Sequence, residues 1–203
     1  MQYRQHTVQC ISPSGLHRMA YVEWGARDNP RVLLCVHGLT RNGRDFDALA
    51  QALAAHYRVV CPDVVGRGQS SRLRDPSAYG IPQYVADMVT LIARLDVDRV
   101  DWVGTSMGGL IGMALASQQG TPIRKLLLND VGPVITTQSL ERIAAYVGTD
   151  PTIGSAGELS LATVVSGGAS VIVNIGGADT LYMRSAATGS ARSSLCCGAC
   201  SGL

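Results

Sequence analysis

One serine in this sequence stands where it could attack a carbonyl. Ser106 lies in Gly104-Thr105-Ser106-Met107-Gly108, a G-x-S-x-G segment. It directly follows the apolar run Val100–Val103 and directly precedes a stretch that reads as helix through Ser117. A sharp strand-to-helix turn lifts a serine hydroxyl out of a sheet and exposes it for acyl transfer. Such a turn strains the serine backbone, and side chains two residues to either side would collide, which accounts for both glycines. The helix that begins there presents its positive end to a developing negative charge. Gly109 and Gly112 let that helix lie close to the sheet. A tetrahedral intermediate also needs two backbone N–H donors aimed at its oxyanion. Met107, next after the serine, and Leu39, in the loop that follows the apolar run Val32–His37, are the candidates for that oxyanion hole. His37, in His37-Gly38-Leu39, is expected to shape this loop as a hydrogen-bonded structural residue and not to act as a base.

The elements that must position these residues can be read in order. Val8–Ser12 and Met19–Trp24 read as short strands around the turn Pro13-Ser14-Gly15. Val32–His37 suits a buried parallel strand. Phe46–Leu53 has helical spacing, and Tyr57–Cys61 is the next strand, closed by Pro62-Asp63 and the turn Gly66-Arg67-Gly68. Tyr84–Leu95 predicts a helix with Val85, Met88, Val89 and Ile92 on one face. Val100–Val103 and Lys125–Leu128 are further strands. Strands alternating with helices give an α/β fold, a mostly parallel sheet with helices on both faces. Thr136–Val147 reads as one more amphipathic helix.

Composition narrows the function. The chain has 203 residues and a net charge of +2, too small for a nucleic-acid footprint. No apolar run reaches the roughly eighteen residues of a membrane span. Met1–Gly15 has no signal-peptide core, so a cytoplasmic location is expected. Cys10, Cys35 and Cys61 read as buried free thiols. Cys197 and Cys200 form a C-x-x-C pair near Cys196, with no second pair or histidine after it, which is a weak metal signal. No metal or cofactor is expected. Gly66-Arg67-Gly68 lacks the Lys and Ser/Thr of a phosphate loop.

Taken together, His37-Gly38, Asp63-x-x-Gly66-x-Gly68-x-Ser70 and Gly104-x-Ser106-x-Gly108 resemble the α/β-hydrolase superfamily, in the right order and over about residues 1–150. The resemblance implies a Ser–His–acid hydrolase with a small-molecule carbonyl substrate: an ester, a thioester or a lactone. Haloperoxidase-like or carbon–carbon bond hydrolysis stays open, since it uses the same residue types. The aspartate-nucleophile branch is excluded by Ser106.

The family order is nucleophile, acid, histidine. Asp130, after Lys125–Leu128, is the candidate catalytic acid; Asp179, after Val171–Gly177, is its rival. The histidine is missing. The four histidines are His6, His17, His37 and His56, and all precede Ser106. Beyond about Leu159 the composition changes: Ser, Gly and Ala dominate, and Lys and Glu are absent. The resemblance then implies a partial core with the start of a cap over 1–158, lacking the last strands, and an atypical tail over 159–203. The chain is expected to be C-terminally truncated or frame-shifted, with a genuine deletion as the alternative. For want of the histidine it is expected to be inactive. The competing reading is a non-catalytic α/β-hydrolase-like protein that binds a ligand.

Overall fold

Val32–Val36 (β3) and Arg58–Pro62 (β4) bury every residue they contain, as strands covered on both faces must. The computed structural model describes residues 2–131 in full and, as backbone strands, 170–174, 180–183 and 196–197. The remaining elements are strands β1 (Arg4–Ser12), β2 (Gly15–Trp24), β5 (Val100–Thr105), β6 (Ile123–Asn129), β7 (Ser170–Asn174), β8 (Thr180–Met183) and β9 (Cys196–Cys197), with helices α1 (Asp47–Leu53), α2 (Ile81–Leu95) and α3 (Met107–Ala116). The sheet order is β1-β2-β4-β3-β5-β6-β7-β8-β9. The pairs from β4 to β7 are parallel. Antiparallel pairs flank them, with β1 and β2 at one edge and β8 and β9 at the other. The mostly parallel α/β sheet expected from the sequence is therefore present. The expected helix over Thr136–Val147 and the composition break near Leu159 lie outside the described residues.

The strand period of two divides the core into halves. Val32, Leu34 and Val36 face α2 and α3, in a cluster with Trp102, Ile111 and Leu126. Leu33 and Cys35 face the other way, toward α1, with Val59, Cys61 and Trp24. Helices thus cover both faces, and each crossover folds back on the sheet. The chain leaves β3 toward β4 on one side and reaches β5 on the other. The ends of β3 and β5 therefore form a switch point, where open α/β sheets place their ligand crevices.

Two expectations need correction in detail. On α2, Val85, Met88 and Ile92 are buried, but Val89 is 45% exposed. The buried stripe instead runs through Tyr84, Leu91 and Leu95 and includes Asp87, because the stripe must meet β1 as well as the sheet centre. The hairpin is also longer than its apolar residues indicate. The pairing extends from Ser12–Gly15 to Arg4–Glu23, since an edge strand alternates exposed and buried residues and its polar half carries little periodic signal.

A buried charge joins this hairpin to the sheet. Glu23 is 1% exposed. It accepts hydrogen bonds from Arg58 Nη2 at 2.9 Å and Nε at 3.1 Å, and from Arg4 Nη2 at 2.7 Å. Burial by itself raises the Glu23 carboxyl pKa, but the bonds from Arg4 and Arg58 outweigh it and hold the group below its ordinary value. A depressed carboxylate stabilises the fold above its unfolded pKa, and that contribution is lost as the pH falls through the folded value. Glu23→Gln is expected to cost about 3 kcal/mol at neutral pH, measured by urea unfolding. The gap between the two proteins should close as the pH falls below the carboxylate range. A gap that is constant with pH would show that Glu23 does not titrate as part of this pair.

Candidate active site

Ser106 sits between β5 and α3 with φ 49° and ψ −114°. This left-handed backbone is costly for a residue with a side chain, by about 1–3 kcal/mol. The surrounding backbone enforces it. Ser106 N–H donates to Asn129 O on β6 at 2.9 Å, and Ser106 O accepts from Gly109 N–H at 2.9 Å. A Cβ on Gly104 would stand 2.4 Å from Gly108 O, and one on Gly108 would stand 2.0 Å from Val36 O. Both flanking glycines are thus required by contact, as the sequence pattern predicts. A Cβ on Gly112 would stand 2.6 Å from Trp102 Nε1, so that glycine does bring α3 down on the sheet.

The loop after β3 arches over this elbow. A Cβ built on Gly38 would lie 3.6 Å from Ser106 Cβ. His37 is fully buried, and its two ring nitrogens have opposite jobs. Val64 N–H can only donate, and it meets His37 Nε2 at 2.9 Å. Nε2 is therefore the acceptor, and Nδ1 carries the proton that reaches Gly38 O at 2.7 Å. Burial pushes the His37 pKa down, against the opposing pull of the Gly38 carbonyl, so the ring is neutral. In a trans peptide, C=O and N–H point in opposite directions. By holding Gly38 O, His37 turns Leu39 N–H the other way. Among the described residues, the N–H groups of Leu39 and Met107 have no bonded acceptor.

The Asp63–Ser70 loop, whose task was not legible beyond its glycines, braces this arch. Asp63 Oδ1 accepts from Gly43 N–H at 2.8 Å and Oδ2 from Gln69 N–H at 2.7 Å. A Cβ on Gly68 would stand 2.1 Å from Asp63 Oδ2. Ser70 Oγ donates to Asp63 O at 2.6 Å and accepts from Ala20 N–H at 2.8 Å. Arg67 Nε donates to Leu39 O at 3.0 Å, while Nη1 donates to Val65 O and Tyr84 Oη. The guanidinium is committed to positioning the arch.

Asp130 follows Asn129, the register partner of Thr105 on β5. The residues after this pair, Ser106 and Asp130, therefore both follow the C-terminal ends of neighbouring parallel strands. Asp130 is exposed, with φ 54°, and its carboxylate has no partner among the described residues. Asp179 lies outside the described residues. No histidine is placed to serve Ser106. His37 is committed on both nitrogens, and His17 Nε2 is bonded to Asp87 at 3.0 Å. His56 is exposed beyond the end of α1, and His6 is on the edge strand β1, stacked on Tyr21.

This fold and turn define a class that the comparisons share. The chain belongs to the alpha/beta hydrolase fold family, whose match covers residues 31–148. It is 68% identical over 141 residues to a 3-hydroxybutyrate-oligomer hydrolase of Cupriavidus necator, covering 70% of this chain and 48% of that protein. It is 33% identical over 132 residues to a 2-hydroxy-6-oxo-2,4-heptadienoate hydrolase of Pseudomonas putida, covering 62% and 45%. The crystal structure of an alpha/beta hydrolase from Novosphingobium aromaticivorans superposes with a TM-score of 0.64 at 41% identity, covering 72% of this chain and 50% of that one. The chain spans about half the length of the curated relatives it matches. No helix among the described residues is long and apolar enough to cross a membrane.

His37→Ala leaves Val64 N–H buried without its partner, removes one of the two donors to Gly38 O, which keeps Arg41 N–H at 3.1 Å, and opens a cavity. It is expected to cost about 3 kcal/mol in urea unfolding. A loss under about 0.5 kcal/mol, the range of surface changes, would mean the ring does not hold the arch.

Proposed function

We propose that this chain carries the acyl-transfer site of an ester hydrolase, with Ser106 as nucleophile, Leu39 and Met107 as oxyanion donors and Asp130 as the acid. The observation that carries the reading is the forced left-handed elbow at Ser106, with the N–H groups of Leu39 and Met107 bonded to no acceptor among the described residues. In the reaction, Ser106 Oγ attacks the carbonyl carbon. The carbonyl π bond opens, and the oxygen takes the negative charge toward Leu39 and Met107 N–H. Collapse breaks the C–O bond to the leaving oxygen, which departs as the alcohol with the proton that Ser106 Oγ gave up, carried by solvent or an added base. The acyl-serine left behind is cleaved by water to the carboxylic acid and the free serine. The relative from Cupriavidus necator supports linear oligomers of 3-hydroxybutyrate, a short hydroxyacid ester, as the substrate class. Residues 1–158 are assigned as the hydrolase part and 159–203 as a tail of different composition, whose strands β7, β8 and β9 extend the same sheet. The unpaired thiols of Cys10, Cys35 and Cys61 suit a reducing, cytoplasmic setting.

The proton of Ser106 has no imidazole to receive it, because residues 107–203 contain no histidine. Loss of a triad member costs roughly 10⁴–10⁶ in rate. The same observation favours a second reading, in which the chain binds an ester ligand without turning it over.

Added imidazole can take the place of the missing base. Turnover of p-nitrophenyl butyrate and of a linear 3-hydroxybutyrate trimer is expected to lie far below about 1 s⁻¹. It should rise with imidazole at least ~10-fold above imidazole's own background, and only with Ser106 present, with an acyl group on Ser106 detectable by mass spectrometry. Equal rescue of Ser106→Ala would overturn the assignment of the nucleophile. Ligand binding without any rescue would favour the second reading.

A further inference from the structure

The N-terminal hairpin and α2 bring together three side chains that the site above does not use. Cys10 and His17 are direct cross-strand partners in the β1–β2 pairing. Asp87 reaches them from α2. All three are buried, at 2%, 7% and 1% exposure. The thiol sulfur, one imidazole nitrogen and one carboxylate oxygen all lie within 4.8 Å of one another. Sulfur, nitrogen and oxygen donors at this spacing form the ligand set of a borderline-soft divalent cation of the zinc type.

We propose that Cys10, His17 and Asp87 form a binding site for such a cation, which ties the edge hairpin to α2. Three observations support it independently of the cluster's composition. First, Asp87 is already aimed: Gln83 Nε2 donates to Asp87 Oδ1 at 2.7 Å and to Ile11 O at 2.9 Å. This bond holds one carboxylate oxygen and leaves Oδ2 facing His17 at 3.0 Å. Metal-ligating carboxylates are oriented by hydrogen bonds of this kind. Second, His17 Nδ1 is buried with no partner, so the ring holds coordinating capacity that the protein does not consume. Third, no lysine or arginine among the described residues is bonded to Asp87, although its carboxylate is out of water. Its ion-pair partner is His17 at 3.0 Å, charged only when the ring is protonated, and a cation held on the neutral ring would take over that role. The Ser12–Leu16 turn and the Ser71–Arg74 segment line a cavity of about 140 Å³ that reaches His17. Binding deprotonates the Cys10 thiol: the S–H bond breaks, its proton goes to solvent, and the sulfur lone pair forms the bond to the cation.

The test uses the full chain with Cys196, Cys197 and Cys200 changed to Ser, so that the tail thiols cannot compete. Cobalt(II) chloride is titrated as the optical probe, and zinc chloride then displaces it. The expected result is a thiolate-to-cobalt charge-transfer band that saturates at one equivalent, bleaches with zinc, and accompanies a rise in the melting temperature. Cys10→Ser should abolish the band, Asp87→Asn should weaken binding at least ~10-fold, and Gln83→Met should weaken it roughly 10–100-fold. No saturable band in the parent protein, or a band unchanged by Cys10→Ser, overturns the proposal. If a variant fails to fold, the parent titration alone decides, because it requires the band and the melting shift to saturate together.

Discussion

The rest of the site depends on a steric constraint at the junction of β5 and α3. Backbone approaches backbone so closely at Gly104 and Gly108 that a single methyl group would overlap carbonyl oxygens. Because α3 begins so tightly against β3 and β5, the residue between them has no room for an ordinary turn, and Ser106 is driven to positive φ. The cost is local, and the support is distributed: Asn129 on β6 takes the Ser106 N–H, and Trp102 on β5 donates its indole N–H to Gly108 O at 3.0 Å. The same closeness brings the first turn of α3 under the loop after β3. The geometry of the Ser106 elbow and that of the Leu39 loop are therefore one constraint seen from two sides.

The order in which residues support one another explains how the elbow and its arch are held from within residues 20–131. Every contact described at the elbow and its arch comes from residues between Ala20 and Val131. His37, Asp63 and Arg67 hold the arch, and the paired ends of β5 and β6 lead into Ser106 and Asp130. None of these contacts involves a histidine that could accept the serine proton. In the proposed reaction, oxyanion stabilisation and nucleophile activation would be physically separable, since one is a property of peptide orientation and the other of a titratable group.

What was legible in the sequence follows from the range over which each signal acts. The elbow and the alternation of buried strands are encoded in short contiguous segments, and the structure places them as read; the oxyanion role of Leu39 and Met107 is a proposal resting on the same segments. The role of His37 as a neutral part of the loop could be read from its position at a strand end. The work of Arg67 and Asp63 could not, because it consists of bonds to Leu39, Gly43 and Gln69 that only the folded loop brings near. Val89 was misjudged because helical spacing reports an apolar face but not which neighbour covers it. The grouping of Cys10, His17 and Asp87 has no sequence spacing at all: a hairpin register closes one gap and a helix docking on that hairpin closes the other. Asp179, the rival to Asp130, falls outside the described residues.

The bond from Trp102 to Gly108 gives the molecule an optical property. Trp102 is 1% exposed, and its indole is pressed against α3 where a Cβ on Gly112 would touch it. Indole emission responds to the hydrogen bond and to the polarity around the ring, so Trp102 reports on the first turn of α3 from inside the sheet. The other tryptophan, Trp24, lies in the cluster on the opposite face and tilts against Tyr3 at 5.4 Å between ring centroids. The chain thus has one fluorophore bonded to the turn that follows Ser106 and one on the far side of the sheet, and the shape of the elbow can be followed in light without adding a label.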